Sequence, residues 1–458
     1  MNEQDIAHKI HDAAVDLLDD PGIKLDHDDI CSMLLSEGAK EGRSTNVIRF
    51  PKELVLEKLA LCPREFIFAD HEGGGDPVTA TSDSVIWSVP GLKIFEDNAV
   101  RPFTKNDMAR MTRLLDQLKN CHGVFGLALD DVPPPARDVV GLRVMAENTK
   151  KHIRVLCFTP KGAEMMTEMK AVVGDYPWFS LGFTAHGPLR WTHLALEIYK
   201  QSAGHGIPAT VNGEPMAGVS APVTLAGASA VGTAEILAGI VINQILEPGR
   251  PLVFNLGLAH VFDMKTSIAV TGSPENHLLA QISAIMGRFY NIPSASWVST
   301  ESMCPDAQAA LERMCGFFTH LQSRVSIIWA IGQLESEMTV SPAQAVMDDE
   351  MIAYAKRYLK GVEVTEDTLA VEVTRQVGIS GSFLDHVHTA EHFRSELFMP
   401  DLLFRETREH WEDKGSITLT QRAEEKAKAL MENRIDNGLT EDQVEALDNL
   451  ANRFLDQL

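Results

Sequence analysis

Residues 252–298 read LVFNLGLAHVFDMKTSIAVTGSPENHLLAQISAIMGRFYNIPSASWV, and this stretch carries the pattern that decides the fold. A short apolar run at 252–257 is followed by a helical pattern over 274–290 and by a second apolar run at 294–298. Apolar runs without polar alternation are typical of strands buried on both faces. Parallel strands need a long crossover, usually a helix, so this strand–helix–strand unit predicts an α/β protein.

The same unit recurs on both sides of this stretch. The predicted strands cover residues 123–129, 153–158, 178–183, 209–212, 252–257, 294–298 and 326–330. The predicted helices cover residues 137–148, 162–173, 189–203, 223–245, 274–290, 305–321 and 343–359. This rhythm predicts a (β/α)8 barrel, with the eighth strand placed in distorted form near residues 377–383. A doubly wound open sheet is the alternative, and it ranks lower because no GxGxxG motif follows any strand.

The flanking regions predict two extensions of the barrel. We assign residues 1–120 to an N-terminal α/β extension packed on the barrel, 121–400 to the catalytic barrel, and 401–458 to a C-terminal helical extension. Thr104 followed by Asp107, and Thr440 followed by Gln443, have the spacing of capping boxes. Each pair predicts the first turn of a helix.

Composition excludes several classes of protein. The 458 residues include 41 Lys and Arg against 64 Asp and Glu, a formal net charge of −23. This charge opposes binding to nucleic acid or to an anionic membrane. The six cysteines form no CxxC pair, which opposes a disulfide framework and a cysteine-ligated metal and favours a reducing cytoplasm. No uninterrupted apolar run reaches the roughly 18 residues of a membrane span, and the polar start lacks a signal-peptide core.

In a barrel of this type, the active site lies at the C-terminal ends of the strands. The side chains predicted at that rim combine aromatic, acidic and amide groups, and they are Asn212, Glu214, Phe254, His260, Trp297, Glu301, Trp329 and Gln333. The late segment adds Phe383, His386 and His388. We take Glu301 and His260 as candidate catalytic residues and the others as candidate substrate contacts.

The aromatic residues in this set, with their acidic neighbours, suggest a pocket for a quaternary ammonium group. Such a cation cannot donate a hydrogen bond and is held by aromatic faces. A single tryptophan at a strand end is more often part of the core, but Trp297 and Trp329 are predicted on adjacent strands.

The histidines near the C-terminus leave a second interpretation open. His386, His388 and His392 have a spacing that resembles metal-ligand spacing, but no cysteine or carboxylate partner stands at zinc-like spacing. We therefore expect no tightly bound metal. A metal-dependent barrel hydrolase using His386, His388 and Glu301 is the alternative enzyme class.

Several motifs together resemble the trimethylamine methyltransferase family of corrinoid-dependent methyltransferases. They are Ser220-Ala-Pro-Val-Thr-Leu-Ala-Gly227, Ala234-Glu-Ile-Leu-Ala-Gly239, Pro305-Asp-Ala-Gln-Ala-Ala310 and Phe383…His388-Thr389…His392-Phe-Arg394. The resemblance implies a (β/α)8 barrel. It also implies methyl transfer from an amine nitrogen to Co(I) of a corrinoid (cobalamin) carried by a separate partner protein. Self-association into a homo-oligomer is expected from the resemblance alone.

One departure from the family pattern points to the substrate. Members that act on trimethylamine carry pyrrolysine in the barrel, whereas the corresponding place here, Glu301-Ser-Met-Cys304, holds only standard residues. The sequence therefore resembles the non-pyrrolysine branch, whose best-known substrate is glycine betaine. Proline betaine, carnitine and other methylated amines are alternatives, as is a binding protein that has lost turnover.

Overall fold

Eight parallel strands close into a barrel in the computed structural model, which describes residues 2–126, 128–257 and 260–458. The strands, in chain order, are Val85–Ser88, Gly123–Phe125, His152–Arg154, Phe179–Thr184, Ala209–Asn212, Leu252–Gly257, Ser294–Trp297 and Ile327–Ile331. Trp329 on the last strand is opposite Trp87 on the first, and Trp87 is opposite Gly123 on the second. The predicted barrel is confirmed, and the open sheet is excluded because the two edge strands pair with each other.

The first barrel strand lies where the sequence analysis placed an extension. Val85–Ser88 falls within residues 1–120, so the barrel begins before residue 121. The prediction of a strand near 377–383 is wrong, because helix Val371–Val377 ends there and an exposed loop follows. A hairpin, Lys93–Glu96 with Ala99–Pro102, separates the first strand from its helix. This insertion breaks the regular strand–helix spacing, so the sequence pattern does not reveal the first strand–helix unit of the barrel.

A helix follows each strand on the outside of the barrel. These helices are Lys105–Gln117, Arg137–Ala146, Pro160–Val173, His193–Gln201, Leu225–Leu246, Pro274–Tyr290, Ala307–Ser323 and Pro342–Lys360. Seven of them confirm predicted helices, and the eighth, Lys105–Gln117, begins with the predicted capping box of Thr104 and Asp107.

Helix Leu225–Leu246 is long and apolar enough, by length and composition, to cross a membrane. Glu235 interrupts its apolar residues, which is why no continuous run of that length stands out in the sequence. In the folded chain, 83% of its most apolar 18-residue window is buried. The N-terminal helices Glu3–Asp19 and Lys52–Ala60 pack on it, so it is a core helix that the N-terminal extension covers.

The rest of the N-terminal extension forms small sheets. Strand Ile23–Leu25 pairs with Arg190–Trp191 beyond the fourth barrel strand, while the segment around Phe68 closes the N-terminal end of the barrel. It contains helix Asp28–Ser36 and strands Ile23–Leu25, Lys40–Glu41, Val47–Arg49, Glu65–Ile67 and Pro77–Thr79. The Phe68 ring packs 4.8 Å from the rings of both Trp87 and His152. Gly123 and His152 are the first residues of their strands, so Phe68 lies at the N-terminal end of the barrel. Burial there lowers the pKa of His152 to about 3.

The C-terminal helices wrap around the outer layer. Helix Leu419–Glu432 packs on Lys105–Gln117 and Pro342–Lys360, and helix Glu441–Asp456 packs on Arg137–Ala146 and Pro160–Val173. The predicted capping box of Thr440 and Gln443 starts the last helix. The last helix of the barrel ends at Lys360, so residues 361–400, which the prediction gave to the barrel, lie outside it.

Short additional strands lie outside the barrel, in the segments that follow the barrel strands. They are Arg190–Trp191, Met216–Ala217, His260–Asp263, Ile268–Val270, Gln333–Leu334 and Thr339–Val340. Residues 361–401 then form an arm with helices Glu366–Leu369, Val371–Val377 and Val387–Glu396, and no residue of this arm is buried. Helix Arg408–Asp413 leads from the arm to the C-terminal helices.

A buried ion pair between Arg313 and Asp348 holds the last two outer helices to the end of the eighth strand. Both side chains are fully buried, and two Arg313 nitrogens donate to the two Asp348 oxygens at 2.6 Å. Asp348 also accepts from the backbone N–H of Gly332 at 2.8 Å. Removing one partner leaves an uncompensated charge in the interior.

We expect Arg313→Met to lower the free energy of unfolding by about 3–5 kcal/mol, because Asp348 then stays buried without its counter-charge. Urea denaturation measures this change. The exposed pair of Arg408 and Glu412, at 3.2 Å, is the control, and Arg408→Met should cost no more than about 1 kcal/mol. Equal effects of the two substitutions would contradict the role given to the buried pair.

Candidate functional site

Trp297 and Trp329 come together at the C-terminal end of the barrel, as the sequence predicted. They are register partners on the seventh and eighth strands, and both belong to one apolar cluster inside the barrel. The Trp329 ring lies 5.5 Å from that of Phe125, and the Trp297 ring lies 5.4 Å from that of His260. Strands that lie about 200 residues apart in sequence thus build a single aromatic wall.

A cavity of about 620 Å³ opens at this end of the barrel. The loops after the first three strands and the eighth strand line it, with residues that include Pro90, Pro134, Arg137, Leu156, Glu337 and Met338. Leu156 also packs against the apolar cluster that contains the two tryptophans. The cavity therefore lies next to the aromatic wall.

Two carboxylates, those of Glu214 and Glu337, lie at the same end of the barrel as the aromatic rings. Glu214 follows the fifth strand, and its Oε1 lies 3.8 Å from Nδ1 of His260. The Glu214 side chain keeps 40% of its surface accessible, yet protein surrounds the carboxylate closely enough that burial raises its pKa to about 7. Burial also raises the pKa of Glu337 well above its ordinary value, and the nearby charge of Glu214 adds to this shift.

The loop that carries Glu337 has an unusual backbone. Glu335, Ser336 and Glu337 have φ values of 53°, 47° and 78°, in the left-handed region that non-glycine residues rarely adopt. The N–H groups of Glu335 and Ser336 donate to the carbonyls of Ser302 and Thr300, each at 2.9 Å. Such backbone persists only where its surroundings hold it, and here it brings Glu337 to the cavity wall.

The Glu301 side chain helps to hold this loop. Its carboxylate accepts hydrogen bonds from Thr271 N at 2.5 Å, Gly272 N at 3.0 Å and Ser336 Oγ at 3.1 Å, and from the Thr271 hydroxyl at 3.0 Å. Four donor groups from two neighbouring segments fix the position of this carboxylate. Glu301 therefore positions the 335–337 loop, and its catalytic role stays a prediction.

The indole N–H groups of the aromatic wall have no partner among the described residues. Trp297 and Trp329 are 6% and 2% exposed, and the Nε1 atom of each finds no hydrogen-bond acceptor in that part of the chain. A buried donor without an acceptor costs about 1–3 kcal/mol. Both donors are therefore suited to an acceptor that a ligand supplies.

Phe254 does not belong to the site. It packs 5.6 Å from the Tyr290 ring on an outer helix, while its neighbours Val253 and Asn255 face the barrel interior. Alternate residues of a strand point to opposite faces, so a run that is apolar on both faces does not show which residues face inward. Asn212 does face the interior, where it accepts a hydrogen bond from Asn255 at 2.8 Å.

Gln333 and His260 also lie at the rim as predicted. The amide of Gln333 lowers the pKa of Glu337 and so opposes the effect of burial. The sequence analysis missed Phe125, Leu156, Arg137 and Glu337. Phe125 and Leu156 lie inside predicted strands, Arg137 begins a predicted helix and Glu337 lies between a predicted strand and helix. Nothing in their spacing distinguishes them from core or surface positions.

The late aromatic and histidine residues lie on the arm and do not line the cavity. Phe383 is 44% exposed, and His386 accepts from the N–H of His388 at the start of helix Val387–Glu396. The side chains that cluster on the arm are Asp367, His388 and His392, without Glu301. The assignment of Phe383, His386 and His388 to the barrel site is therefore wrong, as is the hydrolase site that needs these histidines beside Glu301.

Comparisons with known proteins show which family this chain resembles. A family model described as trimethylamine methyltransferase (MTTB) matches residues 1–456. Trimethylamine methyltransferase MttB of Desulfitobacterium hafniense is 30% identical over 441 residues, which cover 93% of this chain and 88% of that protein. A glycine betaine methyltransferase of the same species is 28% identical over 448 residues, which cover 94% of this chain and 92% of that protein.

The solved structure of the Methanosarcina barkeri monomethylamine methyltransferase MtmB has a TM-score of 0.55 at 12% identity. The match covers 97% of this chain and 87% of that one, and it supports the fold. The match of the family model to nearly every residue and the barrel with its aromatic and acidic rim lead to one conclusion: this chain belongs to the trimethylamine methyltransferase family and is a methyltransferase.

Proposed function

We propose that this protein moves a methyl group from glycine betaine to Co(I) of a corrinoid held on a cognate partner protein, releasing dimethylglycine. The observation that carries the proposal is the joining of the Trp297, Trp329 and Phe125 rings with Glu214 and Glu337 at one end of the barrel. The similarity to a glycine betaine methyltransferase over nearly the whole chain supports the same substrate.

The aromatic wall suits a trimethylammonium head. Methyl groups around a quaternary nitrogen carry partial positive charge and bind to the faces of aromatic rings, and each desolvated contact contributes up to about 2 kcal/mol. An ionised Glu214 adds Coulomb attraction. The substrate nitrogen already carries four carbon substituents, so it leaves as a neutral tertiary amine without a proton. This chemistry fits a chain of standard residues.

The cavity wall and the neighbouring indoles offer groups for the betaine carboxylate. Arg137 lines the cavity wall, and the two indole N–H groups, which have no acceptor among the residues that the structure describes, are donors for an anionic oxygen. Glu337, whose raised pKa favours the protonated acid, is a further donor. A small zwitterion therefore finds aromatic faces for its cation and hydrogen-bond donors for its anion within one site.

The open end of the cavity suits approach of the methyl acceptor. Pro134, Pro135 and Met338 form part of its border, and the opening lies at the rim where barrel enzymes bind their substrates. Reduced cobalt supplies the nucleophile that accepts the methyl group. The residues of this chain hold the methyl group toward the opening and exclude water from the closed end, where Phe68 fills the barrel.

Anaerobic mixing of the protein with Co(I) cobalamin and a panel of methylated amines tests the proposal. We expect the visible spectrum of methyl-Co(III) with glycine betaine and not with trimethylamine. Trp297→Ala should raise the KM for glycine betaine about tenfold or more, because one ring face is lost. Phe254→Leu, which changes an outward-facing ring, is the matched control. A spectrum formed only with trimethylamine, or an unchanged KM in Trp297→Ala, would contradict the proposal.

The pH dependence of binding tests Glu214. Its pKa of about 7 means that the carboxyl group is neutral below that pH and anionic above it. We expect the affinity for tetramethylammonium to rise as pH increases from 6 to 8, since only the anion attracts the cation. Glu214→Gln should remove this dependence in calorimetric titrations. The same rise in the variant would assign the effect to another group.

A comparison of two ligands tests Arg137. Arg137→Gln should weaken binding of glycine betaine about tenfold and leave tetramethylammonium, which has no carboxylate, within twofold of the original value. Equilibrium binding to the purified protein measures both. If both ligands lose affinity equally, Arg137 acts by shaping the cavity through its hydrogen bond to the carbonyl of Val132.

A further inference from the structure

The arm, residues 361–401, is folded without a core of its own. No residue in it is buried, and large apolar side chains such as Ile379, Leu384 and Val387 are exposed. Its three helices have 4, 7 and 10 residues. Isolated helices shorter than about 12 residues are marginal in water, so another interaction must order this segment.

Two histidines and a carboxylate from different helices meet on the arm. His388 and His392 lie one turn apart on helix Val387–Glu396, and their ring centroids are 4.2 Å apart. Nε2 of His392 lies 3.2 Å from an Asp367 carboxylate oxygen on helix Glu366–Leu369. One donor atom from each of the three side chains lies within 4.8 Å of the other two.

We propose that Asp367, His388 and His392 bind a divalent transition metal, with Zn²⁺ as the occupant the donor set favours. Zinc takes histidine nitrogen and carboxylate oxygen at about 2.0–2.2 Å in tetrahedral geometry. Ligand atoms in such a site are about 3.4 Å apart, so small side-chain rotations convert the observed cluster into a coordination shell. Three protein ligands leave the fourth position to water.

A metal bound by these three side chains would join helices of the arm that have no buried core to hold them together. Residues four apart on a helix share one face, so the two histidines present their rings together to Asp367. The three side chains are exposed or half-buried, and a hydrogen-bonded ion pair between such groups adds little stability. A metal bond between residue 367 and residues 388 and 392 joins two short helices and closes the loop between them. In the sequence no cysteine or carboxylate partner stands at zinc-like spacing, so no tightly bound metal is expected from it. The fold brings in Asp367, 21 residues before His388.

The metal site is independent of methyl transfer. Its three ligands do not line the barrel cavity, and Glu301 is not among them. Metal binding to the arm and methyl transfer in the barrel can therefore be measured separately.

Metal binding to the full-length protein tests the site. The protein is stripped with a chelator, dialysed and titrated with Zn²⁺ and, separately, with Co²⁺, whose visible absorption reports the coordination geometry. We expect one Zn²⁺ per chain at this site, and at least tenfold weaker binding in His388→Ala and in His392→Ala. Zn²⁺ should also slow amide hydrogen exchange within residues 361–401 of the original protein and not in these variants.

A matched histidine elsewhere provides the control. His410 is also exposed and lies 3.4 Å from a carboxylate oxygen of Glu406, but it has no second histidine beside it within the described chain. His410→Ala should bind Zn²⁺ as the original protein does. Far-UV circular dichroism checks that the variants fold. Absence of Zn²⁺ binding, or binding that survives the loss of both His388 and His392, would overturn the proposal.

Discussion

The pairing of the last barrel strand with the first is the constraint on which the rest of the structure depends. Ile327–Ile331 hydrogen-bonds to Val85–Ser88, and this contact turns an open sheet into a closed barrel. Closure places the C-terminal ends of all eight strands around one opening. It also brings Trp329 against Phe125 of the second strand, about 200 residues away in sequence. The aromatic wall exists only because the barrel is closed.

The site at this opening combines polar groups that are costly to bury. Glu214 and Glu337 have raised pKa values, and the indole N–H groups of Trp297 and Trp329 lack acceptors within the described residues. Left-handed backbone at residues 335–337 adds a further cost. Hydrogen bonds to Glu301 and to the carbonyls of the preceding rim loop hold this arrangement. A structure that tolerates such features in one place is arranged to bind something there.

The two regions of the protein are stable for different reasons. The barrel buries its apolar side chains between strands and helices, and the N-terminal and C-terminal extensions cover helices that would otherwise expose them. The arm buries none of its residues. Contacts such as those of Arg357 with the carbonyl of Glu396 and of the Tyr354 ring with that of Phe398 tie it to the last barrel helix. The cluster of Asp367, His388 and His392 joins two of its own helices. Hydrophobic burial therefore stabilises the barrel, whereas it does not stabilise the arm.

The sequence by itself determined the fold class and seven of the eight strands, because buried parallel strands are continuous apolar runs separated by helices. It also placed Trp297, Trp329, Glu214, His260 and Gln333 at one rim, since parallel strands end at the same side. Only the tertiary structure decided that Val85–Ser88 closes the barrel, because the hairpin after it breaks the regular spacing. The same holds for Phe254, which faces outward because a strand that is apolar on both faces does not reveal its inner side. Glu337 reaches the cavity through backbone angles, and Asp367 meets His388 through a turn of the arm. No local residue pattern encodes either contact, because each depends on how distant segments pack.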